Sequence, residues 1–62
     1  MHLSNKQMES LMGTMRAVDS DEDSDAMWQA TLENAATVWG IANNIDIDSH
    51  YAFMIYVDLN GE

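Results

Sequence analysis

From Asp25 to Ile45 the chain reads DAMWQATLENAATVWGIANNI, and its apolar residues Trp28, Leu32, Ala35, Trp39 and Ala42 recur at steps of four, three, four and three. That rhythm draws one stripe along an α-helix, and both tryptophans lie on it. A helix over 25–43 is therefore expected, and the rest of the chain has to cover its stripe. Thr31 and Val38 are expected to broaden the covered face, with Glu33 and Asn34 on the opposite side. Gly40 either admits the close approach of a neighbouring helix or begins the helix's end. Asn43-Asn44 is a natural stop, because asparagine tolerates the left-handed backbone found there. The tryptophans read most simply as core anchors, although an exposed Trp39 would be a binding hot spot.

The first segment opens on a compact start signal. Ser4 and Gln7 have capping-box spacing, and Leu3 with Met8 stand where a hydrophobic staple would sit. Met8, Leu11, Met15 and Val18 continue at helical spacing, so a helix is expected over 5–18, with Met12 widening its apolar face. Gly13 costs that helix about 1 kcal/mol relative to alanine. Methionines can make a forgiving binding face, but at this spacing they fit a helix–helix seam as well.

The run DSDEDSD, residues 19–25, is the sharpest break in composition. Its crowded like charges suit a connection between helices, and Ser24 or Asp23 suits the N-cap of the next one. Carboxylates there also lie favourably beside the positive end of the helix dipole. A calcium loop starting at Asp19 fails twice: Ser24 stands where the turn needs glycine, and Ala30 where a bidentate glutamate is required. A start at Asp21 fails in the same way. No metal and no cofactor is expected, since cysteine is absent and His2 and His50 are far apart.

After the short connector IDID, the segment Ser49–Leu59 is dense in aromatic and β-branched residues, which a strand would also accept. A lone strand would leave its backbone groups unpaired. An Asp or Ser cap at the front and Asn60-Gly61 behind bracket a third helix, 49–59. Ala52, Ile55, Tyr56 and Leu59 would form one face, flanked by Phe53 and Val57. Being apolar almost all round, this helix is expected to be buried on most sides, with His50 partly exposed near its start as a packing or hydrogen-bonding residue. A helix-turn-helix could be drawn over 39–56, but its second helix has no cations with which to read DNA.

The fold class that follows is all-α, a single acidic domain over 1–62 built from three helices at about 5–18, 25–43 and 49–59. A chain of 62 residues supplies a core worth only about 3–5 kcal/mol. With no disulfide or metal to add to it, dimerisation is the leading remedy. Met8, Leu11, Met15, Trp28, Leu32, Trp39, Phe53 and Tyr56 are the candidates for helix packing or a dimer interface.

Eleven acids stand against Lys6 and Arg16, a net charge of −9. Direct nucleic-acid binding needs cations to displace counterions from phosphate, and anionic membranes make the same demand. Neither partner is expected, and no apolar run has the length of a membrane span. The opening MHLSNKQMES has no apolar h-region, so a signal peptide is not expected and a cytoplasmic location is the default. Catalysis is not expected either. The three glycines are scattered, no nucleophile elbow or metalloprotease spacing occurs, and the acids cluster where water is abundant.

Two functional readings remain. In the first, Asp19, Asp21, Glu22, Asp23, Asp25, Asp46, Asp48 and Asp58 form an acidic surface that engages a basic surface of another protein. Carboxylates on a helical frame can imitate nucleic-acid phosphates and steer toward a nucleic-acid-binding enzyme. Short acidic inhibitors of that character are typical of phages and mobile elements, an analogy of character alone. In the second, the chain is a helical dimerisation or adaptor module. Its apolar faces, the methionines of the first helix and the aromatics of the third, carry the contact, and its acids only keep it soluble.

Overall fold

The computed structural model describes residues 2–20 and 24–60. Helix α1 spans Asn5–Val18, α2 spans Asp25–Asn43 and α3 spans Ser49–Leu59, with no strand among the described residues. All three helices have the bounds expected from the sequence, and the reason is local. Ser4 Oγ accepts from the Gln7 backbone N–H at 3.1 Å, while Gln7 Oε1 accepts from the Ser4 N–H at 2.8 Å, which completes the capping box. Ser24 Oγ caps α2 by accepting from the Met27 N–H at 3.2 Å. Asp48 Oδ1 caps α3 by accepting from the Tyr51 N–H at 3.1 Å. The alternative cap Asp23, the acids Asp21 and Glu22, and the Gly61 half of the last stop signal lie outside the described residues.

The end of α2 is a Schellman turn. Asn44 adopts φ 56°, in the left-handed region. Its N–H donates to the Ile41 carbonyl at 3.2 Å, and the Ile45 N–H donates to the Gly40 carbonyl at 2.8 Å. The turn sends the connector back along α2, and Gly40 is where it touches. A Cβ on Gly40 would lie 2.7 Å from Ile47 Cγ1 and 2.9 Å from the Ile45 carbonyl oxygen. The close neighbour admitted by this glycine is therefore the connector and not another helix. Gly13 has nothing within 4 Å of the same added atom. Opposite outcomes are expected in urea titration. Gly13→Ala should stabilise the chain by about 0.5–1 kcal/mol, because only helix propensity changes. Gly40→Ala should destabilise it by about 1–2 kcal/mol, because the overlap with a backbone carbonyl outweighs that gain.

The core is Leu11, Met12 and Met15 of α1, Leu32, Ala35, Ala36 and Trp39 of α2, and Ala52, Phe53 and Tyr56 of α3. Leu3, Met8, Trp28, Ile45, Ile47, Ile55 and Val57 pack against it from partly buried positions. Helix α2 is the shared partner of the other two. The radius of gyration is 10.9 Å, against about 10.6 Å from the scaling for a compact domain of this length. One chain closes this core, and nothing in the fold shows a dimer.

The covered face of α2 differs from the expected one. Val38 is 63% exposed and Ala42 is exposed, whereas Ala36 and Gly40 are buried. The returning connector packs on Gly40, and the buried face extends toward that side and away from Val38. Glu33 follows the same rotation: it is half-buried beside α3 rather than out on the solvent side. Helix α3 is not buried on most sides. Tyr51, Met54 and Leu59 are all more than half exposed, since α3 has α2 as its main neighbour.

Candidate acidic binding surface

Asp19 is the junction of the molecule. It follows α1 as its C-cap residue, and its N–H donates to the Arg16 carbonyl at 3.2 Å. Oδ1 of its carboxylate accepts from Trp28 Nε1 of α2 at 2.7 Å, and Oδ2 accepts from the Tyr56 hydroxyl of α3 at 2.5 Å. Trp28 in turn meets Phe53 edge-on, with ring centroids 5.2 Å apart. The Tyr56 pKa is pushed up to about 12, first by burial and then by the hydrogen bond to the Asp19 carboxylate. Asp19 thus ties the three helices together, and both of its oxygens are occupied by the protein's own donors.

The other candidate acids are placed differently. Asp25 stands exposed in the first turn of α2, Asp46 in the connector and Asp58 near the end of α3. None of these three side chains has a hydrogen-bond or ion-pair partner among the described residues, so their carboxylates face water. Asp48 is exposed but spends Oδ1 on capping α3. The described acids lie at the helix ends and in the connector, and the Asp19–Tyr56 bond brings the end of α3 to the junction of α1 and α2.

Of the packing candidates, Leu11, Met15, Leu32, Trp39, Phe53 and Tyr56 are core, while Met8 and Trp28 are partly buried against it. Trp39 is 5% exposed and donates from Nε1 to Ser10 Oγ of α1 at 2.9 Å, which makes it an anchor with a satisfied polar edge. Met8 and Met12 also line an open groove of about 430 Å³ along α1, with Asn5, Glu9, Arg16 and Leu59. Among the described residues no group of three or more His, Cys, Asp or Glu could hold a metal ion. No helix among them is long and apolar enough to cross a membrane.

A second polar link had no signal in local sequence. Glu33 Oε2 accepts from Gln29 Nε2 at 2.8 Å and lies 3.0 Å from His50 Nδ1 across the α2–α3 boundary. The Glu33 pKa is lowered, first by the Gln29 hydrogen bond and then by His50. A carboxylate depressed in the fold adds stability above its unfolded pKa and loses it as pH falls through the folded one. Glu33→Gln is therefore expected to lower stability at neutral pH, with the gap to the wild type closing below about pH 4. Urea midpoints measured across that range test this, and a gap that persists in acid would assign the effect to packing.

Compared with family models, with curated proteins and with solved structures, the chain finds no match in any of the three.

Proposed function

We propose that this chain is a non-enzymatic acidic binding protein that occupies a basic surface of another protein, as a mimic of nucleic acid against a nucleic-acid-binding enzyme. The observation that carries the reading is electrostatic. Eleven acids face two cations in 62 residues, and Asp25, Asp46 and Asp58 stand in water with no partner among the described residues. Such a field raises the encounter rate with a cationic groove and repels competing anions. The rigid frame favours this use, because carboxylates on capped helices and a tight connector lose little freedom on binding.

Asp19 belongs to this surface by its charge but not by its oxygens, which Trp28 and Tyr56 hold. Among the described residues, those that engage directly in this reading are Asp25, Asp46 and Asp58, with Asp48 beside them, and Asp21, Glu22 and Asp23 remain part of the proposed surface. Capture of partners from an extract at low salt, salt-step elution and mass spectrometry give the test. The recovered protein should be basic and displaced by duplex DNA, and its affinity should fall at least tenfold between about 50 and about 500 mM salt. A partner held equally well across that range and indifferent to DNA would overturn the proposal.

The adaptor reading has exposed apolar surface in its favour, including Tyr51 among the aromatics of the third helix. Met15, Phe53 and Tyr56 are core residues. Polar substitution there would unfold the chain and so could not distinguish the two readings.

A further inference from the structure

Helix α2 has its two neighbours on one side, and among the described residues its opposite face is bare along its length. Met27 is 57% exposed, Val38 63% and Ile41 76%, and Ala30, Asn34, Thr37 and Ala42 are exposed with them. This face carries no charge in a chain of net charge −9. The acids of α2 lie elsewhere: Asp25 in its first turn and Glu33 against α3. A solvent face in so acidic a protein would ordinarily hold carboxylates, and a basic partner would require them. We propose that the outer face of α2 is the contact between two copies of this chain, paired antiparallel about a twofold axis at Asn34.

Charge and symmetry both point to a second copy as the occupant. Two bodies of −9 repel least across a surface without acids, and the described outer face of α2 from Met27 to Ala42 supplies one. A twofold contact must also be self-complementary, residue i meeting j and j meeting i. An antiparallel pair centred on Asn34 sets Met27 against Ile41 of the second copy, so large apolar meets large apolar. The same register sets Ala30 against Val38, small against large, and Thr31 against Thr37. Asn34 meets itself, and its amide, both donor and acceptor, can pair with its own image and fix the register. The contact uses none of the core residues and none of Asp46, Asp48 or Asp58.

One helix face of 19 residues is about 28 Å long, which places the contact at the small, weak end of stable interfaces. Its salt response is the reverse of that proposed for the basic partner. Screening relieves the repulsion of like bodies, so self-association should strengthen as salt rises, and either proposal can fail without the other.

Sedimentation equilibrium of the purified chain is the test. A monomer–dimer equilibrium is expected, with an association constant at least about tenfold higher near 500 mM than near 50 mM salt. Val38→Glu and Ile41→Glu, both at exposed sites, should be monomeric at every salt with unchanged far-UV circular dichroism. Because the chain has no cysteine, Asn34→Cys places a single thiol on the axis and should cross-link to itself under mild oxidation, while Lys6→Cys should not. A chain that stays monomeric at high salt would give this face to a different protein and overturn the proposal. Dimers that survive Val38→Glu, or equal cross-linking at positions 6 and 34, would place the contact elsewhere and overturn it too.

Discussion

Leu32→Ala is expected to leave most of the chain unfolded at room temperature. Leu32 is 0% exposed at the middle of α2, between the other two helices. Removing a fully buried leucine side chain costs about 2–5 kcal/mol, the transfer term plus the cavity left behind. A single core in a chain this short supplies about 3–5 kcal/mol, so the loss consumes nearly all of it. Far-UV circular dichroism should show the helix signal collapsing and the urea midpoint moving to near zero. Val38→Ala, on the same helix but 63% exposed, should change stability by less than about 0.5 kcal/mol. If the two variants behaved alike, the described rotation of α2 would be incorrect.

Asp19→Ala should cost about 2 kcal/mol, while Asp25→Ala, a change of the same charge six residues later, should be close to neutral. The difference comes from what each carboxylate touches. Asp25 faces water, but Asp19 accepts from Trp28 and Tyr56. Hydrogen bonds to a charged acceptor are worth about 1.5–3 kcal/mol each, less where water reaches the acceptor, as it does here. A few tenths return because an acid at the C-terminus of α1 opposes the helix dipole. The alkaline limb supplies a second readout. A phenol pushed up to about 12 stabilises the fold fully below its ordinary value near 10 and loses that contribution as pH climbs from about 10 toward 12. Without Asp19 the Tyr56 ionisation should shift downward, although not fully to its ordinary value, because burial remains its main cause. Ultraviolet absorbance of the tyrosinate during alkaline titration would measure that shift. An unmoved titration would mean that the hydrogen bond is absent in solution.

The helices were legible in the sequence because their ends are local chemistry. Ser4 with Gln7, Ser24, Asp48 and Asn44 each act on backbone groups within a few residues, so spacing alone reveals them. What spacing leaves open is how far round each helix its neighbours reach. The stripe through Trp28, Leu32, Ala35 and Trp39 set the axis of the buried face. It could not decide between Val38 on one flank and Ala36 with Gly40 on the other, because that depends on where the connector returns. The role of Asp19 was hidden for a related reason. Its partners are nine and 37 residues away, and in the sequence it is one acid among five. A signal did exist: an indole N–H and a phenol packed among apolar helices require an acceptor, and α2 and α3 have few side chains near them that could serve.

That the central helix packs on its two chain neighbours has a kinetic consequence. Nearly all of the burial is made between segments that follow one another directly, a topology of low contact order that searches little and folds in the microsecond-to-millisecond range. The Asp19–Tyr56 latch, closing a span of 37 residues, forms only after both helix pairs have docked. Its loss should therefore quicken unfolding and leave the folding rate almost untouched, so this one carboxylate sets how long a folded molecule lasts rather than how soon it is made.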